Sequence, residues 1–169
     1  IEAFIHDPET LYYFFTQVDQ PAGKPHLAEM VFEGHELPQA NDLSARLKRL
    51  ANSVLQEGPG PLEPQDMIDR RHHLGDLVDD LREPRNQSEL YATGAEMYQA
   101  LADYFLRSQG LYSSHGKSLL RRLRKTDPTF FKCFNEAFES LFSKGDSEPL
   151  VALVESVASP HGGLNFESY

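Results

Sequence analysis

Apolar residues recur along most of the chain at the three- and four-residue spacing of amphipathic α-helices. The clearest case runs from about Ser88 to Gln109, with apolar positions at Leu90, Gly94, Met97, Leu101 and Phe105. Two further apolar faces follow Asn41 and Asp127-Pro128, and their residues are Leu43, Leu47, Leu50 and Val54 in the first, and Phe130, Phe131, Phe134, Phe138, Leu141 and Phe142 in the second. The side chains that we expect to be buried together are Leu90, Met97, Leu101, Phe105, Phe134, Phe138 and Leu141. Capping residues, Pro and Gly divide the rest into further helices that begin at Pro8, about Leu27, Asn41 or Asp42, Pro64, Lys117, Pro128 and about Pro149. The pattern predicts a mainly α protein, built as an antiparallel bundle of helices with short loops.

One short segment at the N-terminus has a different pattern. Ile1-Glu2-Ala3-Phe4-Ile5 alternates imperfectly and predicts a strand that carries Glu2 between apolar neighbours. A single strand cannot satisfy its own backbone donors, so we expect this edge strand to pair with an α/β domain outside the sequence. Because the chain starts inside this apolar segment, we expect it to be part of a longer protein. The predicted division is a strand left from that domain over residues 1–7 and a helical domain over residues 8–169.

The overall charge narrows the classes of partner. With 16 basic and 26 acidic residues, the formal net charge is -10. Such a chain is repelled by polyanions, which disfavours general nucleic-acid binding and anionic membranes. Cys133 is the only cysteine, so no intramolecular disulfide can form. Since no apolar run approaches 18 residues and no leader sequence is visible, the sequence predicts a cytoplasmic protein with no membrane partner.

A basic helix is the strongest local charge feature. Five of the 16 basic residues lie in the nine positions from Lys117 to Lys125. At helical spacing, Lys117, Arg121 and Arg124 share one face, opposite the leucines of the same segment. Residues 113–116 are expected to offer free backbone N–H groups at the helix start, a suitable place for phosphate. We interpret Lys117 and Arg121 as phosphate ligands. The alternative is a solvated basic face that pairs with this protein's own acids.

Acidic and histidine residues in the helix from Pro64 raise the question of a metal site. Asp69 and His73 are four positions apart, as are His72 and Asp76. Their helical face lies opposite the apolar stripe of the same helix, which favours a solvated acidic surface. If this surface faces a catalytic cleft, Asp76 could position an acceptor amine or hydroxyl.

Several segments resemble nucleotidyltransferases of the polymerase-β type. Their third catalytic carboxylate stands on a strand written apolar-acid-apolar, which Glu2 matches between Ile1 and Ala3. Further segments are similar to the helical C-terminal regions of bacterial members: Asp79-Asp80-Leu81-Arg82, His115-Gly116-Lys117-Ser118-Leu119-Leu120, Asp127-Pro128 and His161-Gly162-Gly163.

The resemblance implies Mg²⁺-dependent transfer of a nucleoside monophosphate from a nucleoside triphosphate to a hydroxyl. It implies that Glu2 is a catalytic carboxylate and metal ligand, and that residues 8–169 shape the acceptor side of the cleft. The family's Gly-Ser turn and paired-carboxylate strand are not in this sequence, so the chain alone is predicted to be inactive. The expected partners are a nucleoside triphosphate, an unknown acceptor and a missing N-terminal catalytic domain; a homodimer is one possible assembly.

Two other functions compete with this interpretation. A helical ribonuclease of the HEPN type, or a toxin partner of that kind, resembles such a bundle and carries Arg and His separated by four to six residues. Arg107 and His115 have seven residues between them. The second alternative is a non-catalytic helical domain that binds another protein.

Overall fold

Helices account for most of residues 5–164, the part of the chain that the computed structural model describes. Their bounds are α1 Pro8–Tyr13, α2 Gln20–Ala22, α3 His26–Glu33, α4 Asp42–Glu57, α5 Pro64–Arg82, α6 Gln87–Arg107, α7 Gly116–Thr126, α8 Pro128–Lys144 and α9 Glu148–Ala158. A π-helical segment, Phe14–Asp19, joins α1 to α2, and a 3₁₀ turn, Ser159–His161, follows α9. The predicted mainly α class is confirmed over these residues. None of the described helices has the length and apolar character needed to cross a membrane.

Short polar side chains and glycine set the ends of the helices. The Asp7 carboxylate accepts a hydrogen bond of 2.7 Å from the Thr10 N–H and so caps α1. Asn41 and Ser44 form a reciprocal capping box at the start of α4. Gly145 ends α8 in the left-handed conformation, with φ of 72°. Because these signals are local, the predicted bounds agree with the observed ones to within a few residues.

The predicted N-terminal edge strand is not supported. Residues 1–4, which include Glu2, lie outside the described residues, and Ile5, His6 and Asp7 form no strand. The Ile5 side chain is 94% exposed and packs against no core of the described residues. Asp7 already caps α1, so the backbone turns into a helix where the strand was expected to end.

The described residues divide into two compact units. The first unit consists of residues 5–61 and 110–114, and the second unit of residues 62–109 and 115–164. Each unit has its own apolar core.

The first unit packs around a small core and includes residues 110–114, which are distant from the rest of the unit in the sequence. Its buried apolar residues are Leu11, Phe15, Ala28, Ala51 and Val54. Residues 110–114 join it through hydrogen bonds. The Tyr112 hydroxyl donates to the Val54 carbonyl at 3.0 Å. The Ser113 N–H donates to the Gly23 carbonyl at 2.7 Å.

The second unit is an antiparallel arrangement of α5, α6, α8 and α9. Both α5 and α8 pack against α6 and α9, so each helix has two neighbours. The directions follow from the side-chain pairs, since Tyr91 meets Phe142 whereas Phe105 stacks on Phe130. The remaining helix, α7, packs against α8 and α6. The predicted helical bundle is therefore confirmed for this unit.

Most of the predicted core is confirmed. Six of the expected side chains are buried in one cluster: Leu90, Met97, Leu101, Phe134, Phe138 and Leu141. Phe105 is half-buried and packs against the same cluster. The inward placement of Phe142 and Leu43 was wrong, because these side chains are 39% and 49% exposed. Phe142 stands at the edge of the α6–α8 contact, and Leu43 lies in the first turn of α4, beyond the core.

The Asp19 carboxylate is an unexpected buried acid in the first unit. It is 8% exposed, and Oδ2 accepts a hydrogen bond of 2.8 Å from the Leu27 N–H. The residue before α3 is Pro25, whose side chain has no group that could cap the helix. Asp19 therefore accepts a hydrogen bond from a backbone N–H group in the first turn of α3, although it lies outside that helix.

Asp19→Asn should remove a pH-dependent loss of stability. Burial, the larger effect, raises the pKa of Asp19 above its ordinary value of 3.8, while the N–H groups of Leu27 and Ala28 oppose the shift. The folded state then holds the proton more tightly than the unfolded chain. The free energy of unfolding therefore falls as pH rises through the interval between 3.8 and the folded pKa. We expect the wild type to lose stability relative to Asp19→Asn across this interval, as measured by urea unfolding at a series of pH values.

Asp7→Asn is a control with the opposite sign. The hydrogen bond from the Thr10 N–H lowers the pKa of Asp7 below 3.8. The wild type should therefore gain stability relative to Asp7→Asn as pH rises through that lower interval. The same direction of change for both variants would contradict this assignment.

Candidate functional site

Helix α7 carries its cations on the side away from the core. Leu119 and Leu123 are fully buried against the second unit, and this burial fixes the rotation of the helix. Lys117 and Arg121, one turn apart on the opposite side, are both exposed. Arg124 and Lys125 are exposed as well, while Arg122 is half-buried. The predicted basic face therefore exists as a surface in this part of the structure.

The charges of this face are not neutralised locally. Helix α7 contains five cations and no acidic residue. Among residues 5–164, no carboxylate lies within ion-pair distance of Lys117, Arg121, Arg124 or Lys125. The alternative, in which the basic face pairs with the protein's own acids, finds no support in these residues. A concentrated positive surface on a chain of net charge -10 is suited to an anionic ligand.

The start of α7 differs in part from its prediction. Ser113 was expected to offer a free N–H group, but this group donates to the Gly23 carbonyl and both atoms belong to the first unit. The helix itself begins at Gly116, and no hydrogen bond from the His115 side chain caps it. The N–H groups of the first turn, at residues 116–118, are therefore the ones that could face an anion beside Lys117.

The carboxylates assigned to catalysis do not assemble into a site within the described residues. Glu2 lies outside them. Asp76 is exposed on α5, and its Oδ2 lies 3.1 Å from His72 Nδ1. Neighbouring Asp69, His73 and Asp80 are exposed too, which gives the solvated acidic surface that the apolar stripe of α5 predicted. Over residues 5–164, no three His, Cys, Asp or Glu side chains are grouped so that they could hold a metal ion.

The sequence did not reveal a buried polar cluster in the second unit. Tyr104 and Arg107 on α6 are only 1% and 4% exposed. Arg71 on α5 lies beside Tyr104, close enough for its positive charge to act on the Tyr104 hydroxyl. The burial of Tyr104 and Arg107 could have been predicted from their spacing along α6. Tyr104 follows Leu101 by three positions and Arg107 follows Tyr104 by three, so both continue the buried stripe of α6.

Exposed apolar side chains are concentrated in the first unit. Of the large apolar residues that are more than a third exposed in the described part of the chain, only Phe142 belongs to the second unit. The others form what we call the exposed apolar set: Ile5, Tyr12, Tyr13, Val18, Met30, Phe32, Leu37, Leu43 and Leu111. This excess of exposed apolar side chains distinguishes the first unit from the second.

Comparison with known protein families, with curated proteins and with solved structures gave no match.

Proposed function

We propose that this chain is the helical accessory domain of a nucleotidyltransferase, and that the basic face of α7 binds the phosphates of a nucleoside triphosphate. The observation that carries the proposal is the group of four exposed cations on α7 that have no carboxylate partner within residues 5–164. The resemblance supplies the reaction, which is transfer of a nucleoside monophosphate to a hydroxyl with Mg²⁺.

The arrangement of α7 suits a polyphosphate better than a single charge. Lys117 and Arg121 are one helical turn apart and point to the same side, about 6 Å from each other. Because both side chains are long and flexible, their charged ends can converge on neighbouring phosphate groups of one polyphosphate. Arginine can hold two oxygens of one phosphate, and lysine acts as a point charge on the next. The N–H groups of the first turn add partial positive charge where Lys117 stands.

Two further residues complete the proposal. Glu2 is the proposed third carboxylate around Mg²⁺, because a hard divalent cation prefers oxygen ligands. Asp76 is the proposed acceptor-side residue. Its carboxylate is exposed on α5 and, among residues 5–164, interacts with His72 alone, so it is accessible to an acceptor amine or hydroxyl.

The exposed apolar set fits the same proposal. A helical domain that works beside a catalytic domain needs a surface that the catalytic domain covers, and covering apolar side chains stabilises such a contact. The proposed occupant of this surface is the N-terminal catalytic domain of the full-length protein.

A non-catalytic interaction domain is the second candidate, and the same exposed apolar set favours it. This candidate predicts binding to a protein partner and no affinity for nucleotide. The ribonuclease alternative is weakened by Arg107, whose guanidinium is buried at the end of α6, whereas an RNA-cleaving arginine must meet its substrate. Nucleotide binding therefore separates the two remaining functions.

Lys117→Ala should weaken the binding of ATP with Mg²⁺ by about 1.5–3 kcal/mol, or roughly 10- to 150-fold, because a charge-assisted hydrogen bond is lost. The measurement is calorimetric titration of the full-length protein, with this chain alone titrated in parallel. Thermal stability should hardly change, since Lys117 is exposed and makes no ion pair with a described residue.

Lys132→Ala is the matched control. Lys132 is an exposed lysine of the same unit that pairs with Glu136 at 3.8 Å on its own helix. Its removal should leave nucleotide affinity unchanged. If Lys117→Ala and Arg121→Ala both bind ATP as the wild type does, or if the wild type binds none, the phosphate role is refuted and the interaction domain becomes the better candidate.

A further inference from the structure

Arg71 links the first half of α5 to the far end of α9. Its Nη1 donates hydrogen bonds to the carbonyl oxygens of His161 and Gly163, the latter at 3.3 Å. Gly162 lies between these residues with φ of 98°, and a Cβ built there would stand 2.9 Å from Arg71 Nη1. The glycine turn therefore wraps closely around the guanidinium, which leaves room for no larger residue.

Tyr104 lies near this guanidinium, because both residues contact His161. Its side chain is fully enclosed by the second unit, and its ring meets the His161 ring edge to face at 6.0 Å. Burial raises the pKa of Tyr104, and the positive charge of Arg71 opposes the shift. The hydroxyl is therefore protonated at neutral pH and able to donate.

Two donors in this place are buried without an acceptor. Within residues 5–164, neither Arg71 Nε nor the Tyr104 hydroxyl has a hydrogen-bond partner. Arg71 also has no carboxylate partner there, and its charge meets only backbone carbonyls. Buried polar atoms are nearly always paired in folded proteins, so two unpaired donors here call for an explanation.

We propose that Arg71 and Tyr104 form a binding site for a small oxyanion, a carboxylate or a phosphate group, held by Arg71 Nε and the Tyr104 hydroxyl. Carboxylate and phosphate oxygens accept hydrogen bonds without donating, so one such group satisfies both donors and compensates the guanidinium charge. Because Tyr104 is so deeply buried, the ligand is a small anion or the terminal group of a larger molecule. The Gly162–Gly163 turn, which contacts Arg71, also lines a cavity of about 380 Å³ together with Glu155, Ser159 and Leu164.

This site goes beyond the proposed nucleotide face and is independent of it. None of its residues lies on α7, so loss of binding at one site does not imply loss at the other. The competing explanation is structural: Arg71 caps the carbonyl groups at the end of α9, and the Tyr104 hydroxyl has no ligand. The two explanations differ for Tyr104→Phe, which removes one oxygen and leaves the Arg71 cap intact.

The test follows the Tm of this chain during titration with sodium phosphate or sodium acetate, with sodium chloride at matched ionic strength as the reference. We expect a saturable rise in Tm with phosphate, acetate or both. A response to phosphate alone assigns a phosphoryl ligand, and a response to acetate alone assigns a carboxylate. Tyr104→Phe should raise the apparent Kd at least tenfold, and Arg71→Lys, which keeps the charge but lacks Nε, should do the same.

Tyr98→Phe and Lys117→Ala are the controls. Tyr98 is a half-buried tyrosine of the same helix that packs on Phe134 and Phe138, so its hydroxyl should not affect anion binding. Lys117→Ala tests whether the anion binds at the basic face instead. The proposal is overturned if phosphate and acetate act no differently from chloride. It is also overturned if Tyr104→Phe, which should fold at least as well as the wild type, responds to the anion as the wild type does.

Discussion

Phe134→Ala should lower the free energy of unfolding by about 3–5 kcal/mol, the range for removing a large aromatic side chain from a packed core. Phe134 is fully buried on α8, and its ring lies 4.7 Å from both the Tyr98 and the Phe138 ring centroids. Its loss therefore removes apolar burial and leaves a cavity between α6 and α8. Urea unfolding followed by circular dichroism measures the change, and Tm should fall by several degrees.

Phe142→Ala is the matched control for this prediction. It deletes the same atoms from the same helix, but Phe142 is 39% exposed and lies at the edge of the cluster. Its cost should be clearly smaller than that of Phe134→Ala. Equal costs for the two substitutions would mean that burial does not determine their contribution, and the packing of α8 described above would be wrong.

Gly94→Leu should destabilise the second unit by about 3 kcal/mol or more, because it overpacks the contact between α6 and α8. A Cβ built at Gly94 would stand 2.3 Å from Leu141 Cδ2 and 3.3 Å from Phe142 Cε1. The Leu141 side chain is fully buried and has little space to move. The gain in helix propensity on replacing glycine, about 1 kcal/mol, is too small to offset the clash. The measurement is again urea unfolding.

Gly60→Ala is the control for added volume. An added Cβ at Gly60 would meet no atom within 4 Å, so this substitution should leave stability nearly unchanged. If Gly94→Leu were as stable as the wild type, α6 and α8 would have to be further apart than the structure shows.

The helices could be predicted from the sequence because their signals are local. Asp7-Pro8, Pro64 and Asp127-Pro128 mark helix starts within a few residues, and each acts through its own backbone. The spacing of apolar residues also predicts which side of each helix faces the core, and on this basis Phe134 and Phe138 were expected in the core. Burial at the edge of an apolar stripe could not be predicted from the spacing. Phe142 is such a position, and its exposure depends on where the neighbouring helix lies.

Of the candidate sites too, one could be predicted from local spacing, whereas the other depends on how the helices pack. The outward placement of Lys117 and Arg121 followed from helical spacing, because Leu119 and Leu123 fix the rotation of α7. The site at Arg71 and Tyr104 could not be predicted, since those residues are 33 positions apart and meet only when α5 packs on α6. An arginine in a sequence is expected at the surface, and only the packed structure shows that Arg71 Nε is buried. The role of Glu2 stays a prediction.

The connectivity of the first unit has a consequence for biosynthesis. Residues 5–61 leave the ribosome before Tyr112 and Ser113, which emerge only after α5 and α6 have been made. The hydrogen bonds from these residues to the Val54 and Gly23 carbonyls therefore form late, when the chain between them is complete. The first unit can therefore complete these two hydrogen bonds only after residues 62–109 of the second unit have been synthesised.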